Sequence, residues 1–134
     1  MANQKMQWQQ ICNIIKQQSK WLDKDFRIVA VTNGGKIPAA MYSYYSKAPY
    51  YSEVNPKFLE DAQEFPDDVV FCDEFLDSGA TFRKLLAKYP RAKFFFVYCR
   101  EKTWASLTNE EKKHIPVKPQ GIRTDNWLVF PWEE

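Results

Sequence analysis

Three carboxylates and two hydroxyls crowd into one short stretch, Asp73-Glu74-Phe75-Leu76-Asp77-Ser78-Gly79-Ala80-Thr81. It follows an all-apolar run, Val69-Val70-Phe71-Cys72. Such a run suits a central parallel strand covered on both faces, so Asp73 and Glu74 are expected at its exit. Ser78 to Thr81 then offer hydroxyls and backbone N–H groups at the start of a helix, where unpaired donors and the helix dipole favour a phosphate. Gly79 lacks the Cβ that would block close approach. Asp73 and Glu74 can accept hydrogen bonds from two ribose hydroxyls, directly or through a divalent ion that offsets their repulsion of a phosphate. An ordinary helix capped by Asp77 or Ser78 would leave the other acids at the strand exit unexplained.

A second break, Thr32-Asn33-Gly34-Gly35-Lys36, follows the apolar run Phe26 to Val31. A Gly-Gly pair alone signals only a turn. There is no G-x-x-x-x-G-K-[ST] and no G-x-G-x-x-G, which excludes a P-loop NTPase and leaves a dinucleotide fold unsupported. Asp73 and Asp77 are four apart, not the two apart that an aspartyl-phosphate hydrolase needs. His114, the only histidine, lies among charged residues and reads as solvated. Lys112-Lys113 after Glu110-Glu111 reads as a solvated helix face.

The elements that must hold these residues alternate. Residues 4–22 carry Met6, Ile11, Ile14, Ile15, Trp21 and Leu22 near helical spacing. A strand is expected over 26–31 and a helix over 37–46, with Pro38 in its first turn. A short strand fits 50–54. Strand 69–72, helix 80–89 and strand 93–99 follow, then a capped short helix from Thr108. Trp127, Phe130 and Trp132 fall in an irregular or extended C-terminal segment. Helix and strand–helix units in this order predict an α/β, mostly parallel sheet flanked by helices. Ligands in such folds bind at the carboxyl ends of strands, where both glycine-containing loops lie.

The chain of 134 residues is one domain long, with 45% hydrophobic and 27% charged residues, enough to fold. Aromatics at 16% exceed what a small core needs and suit a site for a flat ligand. A net charge of +2, evenly spread, argues against a nucleic-acid partner. Cys12, Cys72 and Cys99 fit no zinc spacing and read as reduced thiols of a cytoplasmic protein. No apolar run approaches the ~20 residues of a membrane span, and the polar N-terminus is not expected to be a signal peptide.

Residues 69–81 resemble the phosphoribosyl pyrophosphate signature of the type I phosphoribosyltransferases: an apolar strand, two acids, two spacers, then Asp, Ser/Thr, Gly, any residue, Thr. Residues 27–40 look like that family's pyrophosphate loop after its first core strand. The ending Asp125-Asn126-Trp127-Leu128-Val129-Phe130-Pro131-Trp132-Glu133 resembles the tail of bacterial xanthine–guanine enzymes. The resemblance covers residues 26–48 and 68–134.

It implies a single Rossmann-like domain over 1–134, with an N-terminal helix over 1–22, a shortened hood over 49–66 and a base-binding segment over 121–134. It implies a salvage enzyme that joins a 6-oxopurine (guanine, xanthine or hypoxanthine) to phosphoribosyl pyrophosphate and releases pyrophosphate. Asp73 and Glu74 would bind the ribose and Mg2+, directly or through water. Asp77 would lie near the purine N7 as base or electrostatic partner, and Ser78, Gly79, Ala80 and Thr81 would cradle the 5′-phosphate. Asn33, Gly34, Gly35 and Lys36 would form the pyrophosphate loop, with Lys36 compensating for Asn33 where relatives carry a basic residue. Trp127 would stack on the base, the Leu128 backbone would meet its polar edge, and Arg100 would read the 6-oxo group. Tyr50, Tyr51, Ser52 and Lys57 would form an abbreviated lid. The family's dimers or tetramers make a homo-oligomer the expectation. A non-catalytic nucleotide-binding or regulatory protein on the same fold is the alternative.

Overall fold

The computed structural model describes residues 2–53, 59 and 67–133. The elements, in order, are β1 (Asn3–Lys5), α1 (Trp8–Ser19), β2 (Arg27–Ala30), α2 (Lys36–Ser46), β3 (Tyr50–Tyr51), β4 (Val69–Leu76), α3 (Ala80–Lys88), β5 (Lys93–Arg100), α4 (Glu101–Ser106), α5 (Asn109–Lys112), β6 (Gln120–Ile122) and β7 (Trp127–Val129), with a 3-10 turn at Pro131–Glu133. Five strands form one all-parallel sheet in the order β3-β2-β4-β5-β6. The chain leaves β2 toward one edge and returns at β4 toward the other. The β2/β4 gap is therefore the topological switch point, where such sheets bind ligands.

The sheet is apolar on both faces, as the runs in β4 and β5 predict. Ile28, Ala30, Val70, Cys72, Phe95 and Val97 pack under α1, α2 and the C-terminal residues Leu128 and Phe130. Val29, Val69, Phe71, Phe94 and Phe96 pack on the other side with Phe82, Tyr89, Leu107 and Ile115. Near its carboxyl end the alternation slips. Phe75 and Tyr98 join the first cluster, whereas Leu76 and Cys99 join the second. The change falls between Cys72 and Phe75 in β4 and, across the register, between Val97 and Tyr98 in β5. It lies just past Ala30↔Cys72, the last β2/β4 pair, so β4 there has lost its neighbour on one side.

Three expectations need correction. Helix 4–22 starts later, at Trp8, because Asn3–Lys5 pairs in parallel with Trp127–Val129. The acids do not follow the strand: β4 runs on to Leu76 and holds Asp73 and Glu74 within it. His114 is half-buried, with Nδ1 3.1 Å from the carbonyl of Ala92. Helix α4 and strand β6 had no sequence signal strong enough to expect. Thr108 caps α5 with a complete capping box to Glu111, as expected. Cys72 and Cys99 are buried free thiols. Of the hood, Tyr50–Tyr51 forms an edge strand; Lys57 and residues 54–58 and 60–66 lie outside the described residues. Among the described residues no helix is long and apolar enough to cross a membrane.

Candidate functional site

Three adjoining pockets meet at Asp77 on the carboxyl edge of the sheet. The first, about 90 Å³, is lined by Asp73, Phe75 to Thr81, Phe82 and Phe96. Here β4 hands over to α3 through Gly79, whose φ of +87° is a left-handed value that favours glycine. Ala80 N–H donates to Ser78 Oγ (3.3 Å), and the first turn of α3 borders the space with donors that have no intrahelical acceptor. Thr103 of α4, a residue no sequence pattern singled out, donates its hydroxyl to the carbonyl of Asp77 and fixes the turn from behind.

The second pocket, about 180 Å³, is lined by Thr32, Asp73, Glu74, Phe75, Asp77, Trp127, Leu128, Phe130 and Glu133. Asp73 borders both pockets, Glu74 only this one. Asp73 is buried, and its Oδ1 accepts from Thr32 Oγ1 (3.1 Å) and Glu74 N–H (2.9 Å). Burial outweighs those bonds and lifts its carboxyl to about 6. Burial, then the Asp73 charge, lift Glu74 to about 7, against a 3.0 Å hydrogen bond donated by Trp132 Nε1 to Oε2. Both acids are uncomfortable as bare anions in this site, which is the environment a cation relieves. Their donor set is hard oxygen, as Mg2+ requires. Among the described residues no group of three or more His, Cys, Asp or Glu could hold a metal ion. The two carboxylates therefore fit an ion that takes most of its shell from water and ligand phosphates.

The loop from β2 to α2 leans on these carboxylates. A Cβ on Gly34 would lie 2.7 Å from Glu74 Oε1, and one on Gly35 would lie 2.9 Å from the carbonyl of Cys72. Both glycines serve close approach. The loop also spends some of its own donors. Gly35 N–H donates to Thr32 O (3.0 Å) and Thr32 Oγ1 (3.2 Å), and Lys36 N–H donates to Asn33 O (3.2 Å). Gly35, Thr32 and Asp73 thus form one hydrogen-bonded chain. The Lys36 side chain is half-buried at the first residue of α2.

The third pocket, about 270 Å³, is lined by Asp77, Arg100, Lys102, Asp125 and Trp127. Arg100 is buried, not solvated. Its Nε donates to Asp77 Oδ1 (3.2 Å), its Nη1 to the carbonyls of Thr124 (2.6 Å) and Asn126 (3.1 Å), and its guanidinium lies 4.8 Å from the centre of the Phe75 ring. It ties the loop of Asp77 to the segment of Trp127. Trp127 is 58% exposed and borders the second and third pockets, so its ring is available for stacking. Leu128 is buried on the first face of the sheet. Lys102 and Asp125 pair at 3.0 Å on the rim. Phe75, Thr103, Lys102, Asp125 and Trp132 were given no site role from the sequence. Phe75 filled a spacer position, and the others reach the site only through folding of α4 and the C-terminal segment. Sequence brought together the rest: the residues of 73–81, the 32–36 loop, Arg100, Trp127 and Leu128 all surround one edge of the sheet.

No family model matches the chain. It is 26% identical over 126 residues to the xanthine-guanine phosphoribosyltransferase of Roseobacter denitrificans, covering 79% of this chain and 67% of that one. A purine phosphoribosyltransferase structure from Pyrococcus horikoshii superposes with a TM-score of 0.64 at 23% identity, over 100% of this chain and 96% of the other. A hypothetical protein from Neisseria gonorrhoeae with bound ppGpp gives 0.68 at 20% identity, over 99% and 90%. The likeness read in two signature loops thus extends through the whole sheet: the chain is similar in sequence to xanthine–guanine phosphoribosyltransferases and has the fold of the type I phosphoribosyltransferases.

Proposed function

We propose that the chain transfers the phosphoribosyl group of phosphoribosyl pyrophosphate to a 6-oxopurine, releasing pyrophosphate, in a Mg2+-dependent reaction of purine salvage. The observation that carries this is the meeting of three pockets at Asp77, one walled by a helix start, one by two carboxylates and an exposed indole, one by the Arg100 and Lys102 cations with Asp77, Asp125 and the same indole. The 5′-phosphate takes the space before α3, where the amides of its first turn stabilise an anion. Asp73 and Glu74 accept hydrogen bonds from the ribose hydroxyls and hold Mg2+, which when bound neutralises charge on the pyrophosphate leaving group. The 32–36 loop receives that pyrophosphate, with Lys36 supplying the positive charge that Asn33 lacks.

The purine lies on Trp127, with its ring nitrogen turned toward the anomeric carbon. The nitrogen's lone pair forms the new bond as the bond to pyrophosphate breaks and its electrons leave with pyrophosphate. Positive charge on the sugar builds in between, in an oxocarbenium-like state, and Asp77 stabilises it and accepts the proton lost by the base. Arg100 keeps the Asp77 carboxylate in place.

A second reading, a non-catalytic nucleotide-binding or regulatory protein, is favoured by Asn33 and by the bound ppGpp of the Neisseria structure. Pyrophosphate release separates the two. With phosphoribosyl pyrophosphate, Mg2+ and guanine, the chain should release pyrophosphate, and Asp77→Asn should cut the rate by about a hundredfold or more with the melting temperature little changed. Nucleotide binding without release under any purine would favour the regulatory reading.

A further inference from the structure

We propose that the Lys102–Asp125 pair reads the edge of the purine, and that the chain prefers guanine to hypoxanthine, hypoxanthine to xanthine, and all three to adenine. This deepens the reading above and rests on its placement of the base against Trp127.

Arg100 and Lys102 are the cations that line the pocket beside that ring. Arg100 is committed. Three of its N–H groups go to Asp77 and to the carbonyls of Thr124 and Asn126. Turning it toward a base would break all three hydrogen bonds of a guanidinium that is itself buried, a cost that one new hydrogen bond does not recover. It acts as a strut between two loops. Lys102 is free to change partner. Its bond to Asp125 spans 3.0 Å between side chains that are 73% and 71% exposed. Ion pairs that open to water hold their partners weakly.

The pair also has a pattern. A lysine ammonium offers only donors, and an ionised aspartate only acceptors. Lys102 holds the Asp125 carboxyl below the usual range, which keeps it an acceptor. Side by side they present a donor next to an acceptor. A 6-oxopurine presents the complement, an acceptor at O6 next to a donor at N1–H. Guanine adds a 2-amino donor for the same carboxylate. Hypoxanthine has only C–H there, and xanthine sets a second carbonyl against Asp125. Adenine reverses the order, with a donor at its 6-amino group and an acceptor at N1. Asp125 stands two residues before Trp127 in the chain, so the group reading the edge and the ring holding the face belong to one segment.

The test is a ratio. Rates of pyrophosphate release are compared for guanine, hypoxanthine, xanthine and adenine, and binding of GMP, IMP, XMP and AMP is followed by quenching of tryptophan fluorescence. Wild type should show the stated order in both. Lys102→Met should lower the guanine-to-adenine ratio by about tenfold, and Lys102→Arg should restore it. Asp125→Asn should narrow guanine over xanthine, because a turned amide can donate to the 2-oxo group. Arg100→Lys should slow every base and leave the ratios alone. Ratios that stay put in Lys102→Met and Asp125→Asn, or move only in Arg100→Lys, overturn the inference. Absence of turnover with every base overturns the catalytic reading, and the binding ratios then still decide this one; absence of binding by all four nucleotides overturns both.

Discussion

Asp73 leaves water on folding and gains two hydrogen bonds in return, from Thr32 and from the amide of Glu74. The exchange is unfavourable for the ionised form, so its carboxyl titrates near 6 when folded, against about 3.9 in an unfolded chain. The folded state therefore holds more protons than the unfolded state over that interval, and stability falls as pH rises from about 4 to above 6. The loss amounts to about 3 kcal/mol in the limit. Asn keeps an oxygen that accepts both bonds and carries no charge. Asp73→Asn should accordingly melt higher than wild type at pH 8 in metal-free buffer, and the gain should fade as the pH approaches 4. Equal melting at pH 8 would mean that Asp73 is solvated. Stability given up at such a position is the usual cost of a carboxylate kept for binding.

Between β2 and α2 the glycines act as spacers for an element resting on its neighbour. Gly35 faces the Cys72 carbonyl, which is part of the β4 ladder and cannot move aside. Gly34 faces the tip of the Glu74 side chain, which can. Gly35→Ala should cost about 1–3 kcal/mol by overpacking, read as a lower denaturant midpoint. Gly34→Ala should cost less stability and instead raise the Mg2+ concentration needed for half-maximal rate, because it displaces Glu74. The reverse pattern would detach the loop from β4. These contacts explain what was legible beforehand. The apolar runs announced β2, β4 and β5, and the order of elements announced a parallel sheet, since both signals are local. The slip of faces before Phe75 and Tyr98 was hidden, because it shows only when β4 and β5 are paired and packed. So was the committed role of Arg100: its partners Asp77, Thr124 and Asn126 are more than twenty residues away, and no spacing foretells them. Strand β1 was missed because Gln and Lys fill out a helical pattern as readily as an edge strand.

Across the whole molecule, Asn3–Lys5 braces the segment on which the base is proposed to stack. Asn3–Lys5 pairs with Trp127–Val129, Met6 N–H donates to Val129 O (2.8 Å) and Trp127 N–H donates to Ala2 O (3.0 Å). This two-stranded ribbon is separate from the main sheet and should open before β4 and β5 do. Amide hydrogen exchange should show Met6 and Trp127 losing protection together, and saturating GMP should slow both. Exchange at Met6 that ignores GMP would uncouple the ribbon from the base. The switch point supplies the other walls, and it divides their origins. The proposed phosphate cradle is a turn and the first residues of a helix, 77–81, and such local pieces can be moved between proteins. The two adjacent carboxylates, Asp73 and Glu74, come from the strand itself, just past the point where β2 stops pairing with β4. Grafting the turn onto another parallel sheet would therefore carry over only the proposed phosphate site and leave both carboxylates behind; a recipient would also need two adjacent acids within the strand that feeds the turn.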